Sequence, residues 1–348
     1  MRILVTGHKG YVGTVVVPML VEAGYEVVGL DTDLYRRSTF GDEAQLLPVP
    51  EISRDLRDVE TDDLAGLDGI IHLAALSNDP LGELSASLTE DINWRASFRL
   101  AEKAREAGVS RFVFASSCSN YGAAGGDVFL TERAPVEPVS AYGRSKVATE
   151  VSVSALATES FSPTFLRFAT AYGYSPRLRF DLVVNNLVAW AYTTGQVFLK
   201  SDGMAWRPLI HVSDMARAFL AVLRAPREII HNQVFNAGST CENYTVRDVA
   251  ALVKKIVPNS RITFGEGAGA DPRNYRVDFH KIATSIDFKP QWTVERGCLE
   301  LYEAYARTGI TVEDFEGVRY KRIAQIQSLQ QAGELDFQLR WCAPVVSG

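Results

Sequence analysis

Short apolar runs alternate with longer helical patterns through the first half of the chain. Five runs rich in β-branched residues predict buried strands, at residues 2–6, 26–30, 69–73, 111–116 and 163–168. Helical patterns lie between them, at residues 12–23, 88–107 and 141–158. Strands that alternate with helices predict a parallel sheet covered on both faces. The pattern therefore predicts an α/β fold with a doubly wound parallel sheet.

The alternation loosens beyond residue 172. Helical patterns occupy residues 182–193, 213–225, 245–256 and 294–308, with a short apolar run at residues 197–199. We predict a first domain at residues 1–172, with room for later returns of the chain to it, and a smaller lobe at residues 173–310. A C-terminal extension follows at residues 311–348. Its polar helical pattern at residues 320–329 indicates no role.

Charge and composition narrow the classes of function. The chain has 36 Lys plus Arg and 42 Asp plus Glu, a net charge of −6, without a basic block suited to a nucleic-acid backbone. Its apolar stretches are too short and interrupted to span a bilayer, and its first residues lack the layout of a signal peptide. We therefore expect a cytoplasmic protein that binds neither nucleic acid nor membrane. Its four cysteines are widely spaced, which predicts no metal site and no disulfide framework.

Gly7, Gly10 and Gly13 lie directly between the first predicted strand and the first predicted helix. Glycine permits positive φ and close backbone approach, and a helix N-terminus presents N–H groups to an anion. In this position the spacing is typical of a Rossmann-type site, where a pyrophosphate meets the start of the helix. The motif therefore predicts a dinucleotide cofactor.

Asp31 follows the second predicted strand. A carboxylate at this position accepts hydrogen bonds from the ribose hydroxyls and repels a 2′-phosphate, which favours NAD over NADP. Arg36 and Arg37 follow closely, so NADP stays open as an alternative.

Tyr142 and Lys146 are the candidate catalytic pair. Because they are four residues apart, they would share one face of a helix. A phenol, with a reference pKa near ~10, is a poor base at neutral pH, and a neighbouring cation favours its phenolate form. With a dinucleotide beside it, such a pair can remove a hydroxyl proton while a hydride leaves the same carbon.

In their order along the chain, these features and four further motifs resemble the extended short-chain dehydrogenases/reductases, and more narrowly the NAD-dependent nucleotide-sugar epimerase/dehydratase family. The further motifs are Asp55-Leu56-Arg57, His72-Leu73-Ala74-Ala75, Ser116-Ser117 before Tyr121-Gly122, and Leu166-Arg167 before Tyr172-Gly173. The resemblance extends from residue 1 to about residue 308. It implies a Rossmann domain that holds NAD tightly and a smaller lobe that mainly binds substrate. The cofactor residues that it implies are Gly7, Gly10, Tyr11, Val12, Gly13, Asp31, Asp55, Leu56, Leu73, Ala74, Ala75, Tyr142 and Lys146.

The resemblance also implies catalytic roles. Tyr142 would act as the base, Lys146 as its electrostatic partner, and Ser117 as the hydroxyl that orients the same substrate oxygen. Dehydratases of the family carry Asp and Glu directly after that serine position, whereas Cys118 and Ser119 stand here. A thiol and a hydroxyl are poorly matched to the elimination of water. We therefore predict an epimerase that inverts C4 through a transient 4-keto sugar.

Three alternatives stay open. Within the family, the chain could reduce a nucleotide 4-ketosugar, or epimerise C3 or C5 with Cys118 as an acid or base. The alternative from another class is a non-catalytic NAD-binding regulatory protein, because a fold does not fix a function. The usual sign of that class is loss of the catalytic pair, and both Tyr142 and Lys146 are present.

The substrate implied by the resemblance is a nucleotide-diphosphate sugar. Arginine gives forked, permanently charged contacts to phosphate oxygens. The predicted substrate residues are Ser77, Ser117, Cys118, Ser119, Thr170, Asn185, Arg207 and Arg273. The chain departs from the family at Thr170, where Asn is usual, and in the polar segment Ser77-Asn78-Asp79, so the sugar and the base stay open. Members of the family often pair through the helix that carries Tyr142, which predicts a homodimer.

Overall fold

The computed structural model describes residues 1–41, 46–77, 85–265, 269 and 273–342. Asn78 and Asp79 of the polar segment lie outside the described residues. The strands are β1 Arg2–Thr6, β2 Glu26–Leu30, β3 Gly69–His72, β4 Arg111–Ser117, β5 Gly125–Leu130, β6 Ser162–Phe168, β7 Thr170–Tyr172, β8 Gln196–Leu199, β9 Trp206–His211, β10 Gln233–Ala237, β11 Asn243–Thr245, β12 Arg261–Phe264 and β13 Tyr275–Val277. The helices are α1 Gly13–Glu22, α2 Ala86–Glu90, α3 Ala96–Glu106, α4 Ala141–Ser154, α5 Val183–Thr194, α6 Val212–Arg224, α7 Arg227–Ile230, α8 Val246–Ile256, α9 His280–Ile286, α10 Val294–Thr308, α11 Val312–Glu316 and α12 Arg322–Gln331.

A six-stranded parallel sheet forms the centre of the described structure, in the order β10-β6-β4-β3-β1-β2. Alternate residues of a strand point to opposite faces. Accordingly, Leu4 and its neighbour Ile70 pack toward α3 and α4, whereas Val5 and Ile71 pack toward α1 and α6. Both faces of the sheet are therefore buried, which explains the nearly continuous apolar runs of its strands. The prediction of a Rossmann-type doubly wound α/β fold is confirmed.

Beyond residue 172 the chain builds a second core and returns once to the sheet. Strands β7, β9 and β11 form a small sheet, and β8 pairs with β12. Helices α5, α8 and α10 pack around Val184, Val253 and Leu301 in this second core. Strand β10, however, adds to the edge of the central sheet beside β6. The boundary at residue 172 stays a prediction.

The C-terminal extension lies against the first domain. Leu329 and Leu339 form an apolar cluster with Leu76 and Leu88, which come from the first ninety residues of the chain. A polar contact adds to this cluster, because the Ser38 hydroxyl donates to the side-chain oxygen of Gln325 at 2.6 Å. Among the helices that the structure describes, none has the length and apolar content needed to cross a membrane.

Candidate active site

The glycine-rich loop joins β1 to α1 in a conformation that requires glycine. Gly7 has φ +72°, and a Cβ there would lie 2.9 Å from the backbone nitrogen of Ala74. A Cβ at Gly13 would lie 2.2 Å from the carbonyl oxygen of Gly7. The first turn of α1 contains no acidic residue and its N-cap, Val12, makes no side-chain cap. The loop therefore offers a close backbone approach and an uncapped helix start to an anion.

Asp31 lies at the carboxyl end of β2, beside this loop. Its carboxylate accepts hydrogen bonds from the backbone N–H groups of Lys9 at 2.9 Å and Asp33 at 2.7 Å. Burial raises the pKa of Asp31, and these hydrogen bonds counteract the shift. Arg36 and Arg37, which left NADP open, both form ion pairs with Glu334 of the C-terminal extension. Their charges are thus engaged by a carboxylate, which favours NAD at this site.

The candidate catalytic pair lies on α4, as its spacing predicts. The hydroxyl of Ser140 caps this helix by accepting from the N–H of Gly143 at 3.1 Å. The ammonium nitrogen of Lys146 lies 5.6 Å from the centroid of the Tyr142 ring and donates to the carbonyl oxygen of Ala115 at 2.8 Å. Burial lowers the pKa of Lys146 to about 7, and the nearby carboxylate of Glu150 opposes that shift.

Ser117 ends β4 and lines the same cleft as this pair. Its hydroxyl oxygen accepts from the backbone N–H of Ser119 at 3.1 Å and from the Ser119 hydroxyl at 2.9 Å. Neither contact uses the hydroxyl proton of Ser117. Ser117 is therefore arranged to donate that proton to an oxygen bound in the cleft.

A buried ion pair connects α4 to strand β6 of the central sheet. Glu150 accepts from the Arg167 guanidinium in a forked contact, with a shortest distance of 2.7 Å, and both side chains are less than one-tenth exposed. Glu150 also accepts from the Ser116 hydroxyl at 2.5 Å. Because burying a charge is costly unless it is paired and hydrogen-bonded, this network fixes α4 against β4 and β6. It holds the face that carries Tyr142 and Lys146 toward the cleft.

One cleft of about 950 Å³ contains the site. All of the predicted cofactor residues line it, from the glycine-rich loop through Asp31 and Asp55 to Tyr142 and Lys146. The predicted substrate residues that line it are Ser77, Ser117, Ser119, Thr170, Arg207 and Arg273. Their roles stay predictions, but the structure brings together residues that lie up to 266 positions apart, from Gly7 to Arg273.

Two predicted substrate residues do not reach the cleft. Cys118 is buried in the apolar core, and its thiol donates to the carbonyl oxygen of Arg167 at 3.2 Å. Burial raises its pKa, so the thiol is unsuited to acid–base chemistry. Asn185 is also buried, and its side-chain oxygen accepts from the backbone N–H of Gly173 at 3.0 Å. The structure therefore does not bring these two residues into the lining of the cleft with the other predicted substrate residues, and their contact with substrate stays a prediction.

Several cleft residues carried no prediction. Asn186, rather than Asn185, lines the cleft at the start of α5. Arg179 lines it with a guanidinium that binds Asp181 in a forked contact and donates to the Ser77 hydroxyl at 3.3 Å. An arginine two residues before an aspartate, just ahead of a predicted helix, was the available sequence signal for this pair. Arg322 and Leu339 reach the cleft from the C-terminal extension, where no local pattern indicated it.

The residues present fit NAD. The glycine positions allow a pyrophosphate to approach the backbone at the start of α1, and Asp31 supplies a carboxylate for ribose hydroxyls. Asp55 and Leu56 line the far end of the same cleft. There Arg57 binds the Asp55 carboxylate in a forked contact at 2.7 and 2.8 Å. Burial opposes ionisation of Asp55, but this contact outweighs it and lowers the pKa of the carboxyl group.

Comparison with known proteins agrees with this geometry. The model of the NAD dependent epimerase/dehydratase family matches residues 3–238. A UDP-glucose 4-epimerase of Corynebacterium glutamicum is 30% identical over 328 residues, which cover 88% of this chain and 96% of that enzyme. The structure of MoeE5 in complex with UDP-glucuronic acid and NAD is 28% identical with a TM-score of 0.76, covering 88% of this chain and 100% of that one. DesIV, a dTDP-glucose 4,6-dehydratase of Streptomyces venezuelae solved with NAD, is 26% identical with a TM-score of 0.75, covering 88% of this chain and 97% of that one.

Proposed function

Because this chain belongs to the NAD-dependent epimerase/dehydratase family, and several similar structures contain NAD, we propose that it is a nucleotide-sugar epimerase that inverts C4 through a transient 4-keto sugar. The observation that carries the proposal is the convergence of Ser117, Tyr142 and Lys146 on one cleft, next to the nucleotide loop.

Each of the three residues has a distinct role in the oxidation of a sugar hydroxyl. Tyr142, as phenolate, accepts the hydroxyl proton, and the charge of Lys146 stabilises that phenolate. Ser117 donates a hydrogen bond to the same substrate oxygen, because its own oxygen already accepts from Ser119. NAD, when bound, supplies the acceptor for the hydride that leaves C4. For inversion, the 4-keto sugar turns in the cleft, and Tyr142 returns the proton when the opposite face is reduced.

The neighbours of Ser117 favour epimerisation over its alternatives. Relatives include a dehydratase, and also UDP-glucuronic acid decarboxylase 1 of Arabidopsis thaliana. Elimination of water needs an acid and a base beside the 4-keto sugar, but Cys118 is buried and the hydroxyl of Ser119 is bonded to Ser117. The burial of Cys118 also disfavours epimerisation at C3 or C5 with that thiol as acid or base. Reduction of a 4-ketosugar remains the alternative, because it needs the same three residues.

A nucleotide-diphosphate sugar is the substrate that we propose. Arg207 is buried at the cleft wall, where its guanidinium donates to the carbonyl oxygens of Trp206 and Arg273. These contacts hold Arg207 against the backbone of Arg273, which also lines the cleft, and guanidinium groups suit a diphosphate. Ser77, whose hydroxyl accepts from Arg179, also lines the cleft and offers a hydroxyl to the sugar. The homodimer also stays a prediction, for which α4 offers the exposed side chain of Val151.

The direct test is incubation of the purified protein with UDP-, dTDP-, GDP-, CDP- and ADP-linked sugars, with C4 inversion followed by NMR. We expect inversion of at least one sugar without added cofactor, because an epimerase ends each cycle with the cofactor restored. Tyr142→Phe should reduce turnover by about 10²- to 10⁴-fold. Tyr25→Phe, outside the cleft, is the matched control and should leave turnover unchanged. Stoichiometric consumption of NADH would instead identify a reductase, and full activity of Tyr142→Phe would refute the mechanism.

A further inference from the structure

Three arginines lie buried together beside the nucleotide loop: Arg177, Arg179 and Arg322. The first two have carboxylate partners. Arg177 lies 3.0 Å from Asp33, and Arg179 binds Asp181 at 2.7 Å. Among the described residues, Arg322 has no carboxylate within ion-pair distance, and its Nη2 atom has no hydrogen-bond partner.

The charge of Arg322 is poorly compensated in this position. Its side chain is only 7% exposed, and its guanidinium carbon lies 3.7 Å from the centroid of the Tyr35 ring, a contact that supplies no anion. Burial is the main cause that lowers its pKa to about 10. The charges of Arg179 and Arg177 add to the shift, and Tyr35 and the Asp181 carboxylate oppose it without cancelling it. A buried cation without an anionic partner is costly, and a bound anion would stabilise it. Arg322 lines the cleft, so the anion can come from a bound ligand.

The surroundings of Arg322 belong to the cofactor side of the cleft. Tyr35 lies on the loop that follows Asp31, and both line the cleft with Tyr11 of the nucleotide loop. The rest of the extension contacts the same region. The indole N–H of Trp341 donates to the carbonyl oxygen of Thr32, and Arg57 donates to the carbonyl oxygen of Gln338 at 2.8 Å.

We propose that the C-terminal extension completes the cofactor site and that the Arg322 guanidinium binds the pyrophosphate of NAD. A guanidinium suits this group because it presents two parallel N–H donors to phosphate oxygens. A nucleotide sugar also carries a diphosphate, but Arg207 and Arg273 serve the part of the cleft formed by β9 and the segment before β13. The inference rests on the NAD site alone and does not depend on which sugar reaction the enzyme performs.

The test is calorimetric titration of the full-length protein, stripped of cofactor, with NAD, adenosine and UDP. Arg322→Gln should weaken NAD binding by about 10- to 100-fold, as expected for the loss of a charge-assisted contact. The Kd for adenosine, which lacks the pyrophosphate, and for UDP should stay unchanged. Arg322→Lys keeps the buried positive charge but lacks the two parallel N–H donors. It should weaken NAD binding less than Arg322→Gln does. Lys321→Gln removes the neighbouring exposed charge and is the matched control, with no expected change.

Three outcomes would overturn the proposal. Unchanged NAD affinity in Arg322→Gln and Arg322→Lys would mean that the guanidinium does not contact the cofactor. Weaker binding of UDP with unchanged binding of NAD would assign Arg322 to the substrate diphosphate. Equal losses for NAD and adenosine would mean that the extension only shapes the adenosine pocket.

Discussion

At the scale of the residue, Lys146 shows a conflict between function and stability. The mechanism needs a cation beside Tyr142, yet Lys146 is buried and its pKa is lowered by that burial to about 7. The carboxylate of Glu150 opposes the shift, but it is already engaged by Arg167. The protein thus keeps a costly charge at the place where it acts on the phenol.

Lys146→Met should therefore stabilise the cofactor-free protein while it abolishes turnover. The folded pKa of about 7 lies below the unfolded value of about 10.5. Below pH 7 both states bind the proton and the penalty of the buried charge is fully present. Between pH 7 and about 10.5 the folded state has lost this proton while the unfolded state still binds it. Stability therefore rises with pH in this range, and the penalty declines until it disappears near pH 10.5. The gain from Lys146→Met, of about 1–4 kcal/mol at pH 6 by analogy with other buried charges, should shrink at pH 9.

The measurement is the free energy of unfolding in urea at pH 6 and pH 9, without NAD. Lys254→Met on the exposed face of α8 is the control for the loss of a charge that is not buried, and we expect only a small change in the free energy of unfolding. A gain from Lys146→Met that is equal at both pH values would contradict a lowered pKa.

At the scale of the element, the start of α1 is the most demanding position. Gly13→Ala would place a Cβ 2.2 Å from the Gly7 carbonyl oxygen and 2.5 Å from the Cα of His8, which are backbone atoms that no rotamer change can relieve. The loop or the helix must shift, so the N–H groups leave their positions around the pyrophosphate site. We expect NAD binding to weaken at least ~10-fold, a loss of about 1.4 kcal/mol or more.

Gly24→Ala, just beyond the other end of α1, separates this effect from general destabilisation. Gly24 has φ +86°, and a Cβ there meets no described atom within 4 Å. The substitution strains the backbone by roughly 1–2 kcal/mol without touching the loop. It should lower the melting temperature and leave the Kd for NAD unchanged. If both variants bound NAD equally weakly, the close approach at Gly13 would not be the cause.

Elements with a clear period were predictable from sequence, whereas the direction of single side chains was not. The predicted strand at residues 111–116 corresponds to β4, Arg111–Ser117, because its apolar run is long and bounded by polar residues. Ser117 and Ser119 line the cleft while Cys118 between them points into the core. The strand ends at Ser117 and a turn of 3₁₀ helix follows from Cys118 to Tyr121, so strand alternation does not predict which of these side chains face the cleft. The local sequence likewise did not indicate which of them do.

At the scale of the whole molecule, the extension shows where sequence reasoning stops. Its helix was predicted from residues 320–329 and is observed as α12, Arg322–Gln331. Its role depends on contacts with residues about 280 positions earlier, such as the hydrogen bond of Arg57 to Gln338. Local periodicity contains no information on such partners. Arg322 looks like one more cation on a polar helix until the fold buries it against Tyr35.

The extension is held mainly by its apolar cluster, and this predicts how the whole chain unfolds. Leu329 is 1% exposed in that cluster, so Leu329→Ala should lower the free energy of unfolding by about 2–5 kcal/mol. The ion pair of Arg340 with Asp58 is largely exposed, and Asp58→Asn should cost no more than about 1 kcal/mol, because solvent and salt screen such pairs. Urea unfolding followed by circular dichroism and by NAD binding should show one shared transition in both variants, shifted strongly only in Leu329→Ala. Separate transitions would show that the extension is a dispensable attachment rather than part of the cooperative fold. A cost for Asp58→Asn as large as that for Leu329→Ala would show that the ion pair, and not mainly the apolar cluster, holds the extension.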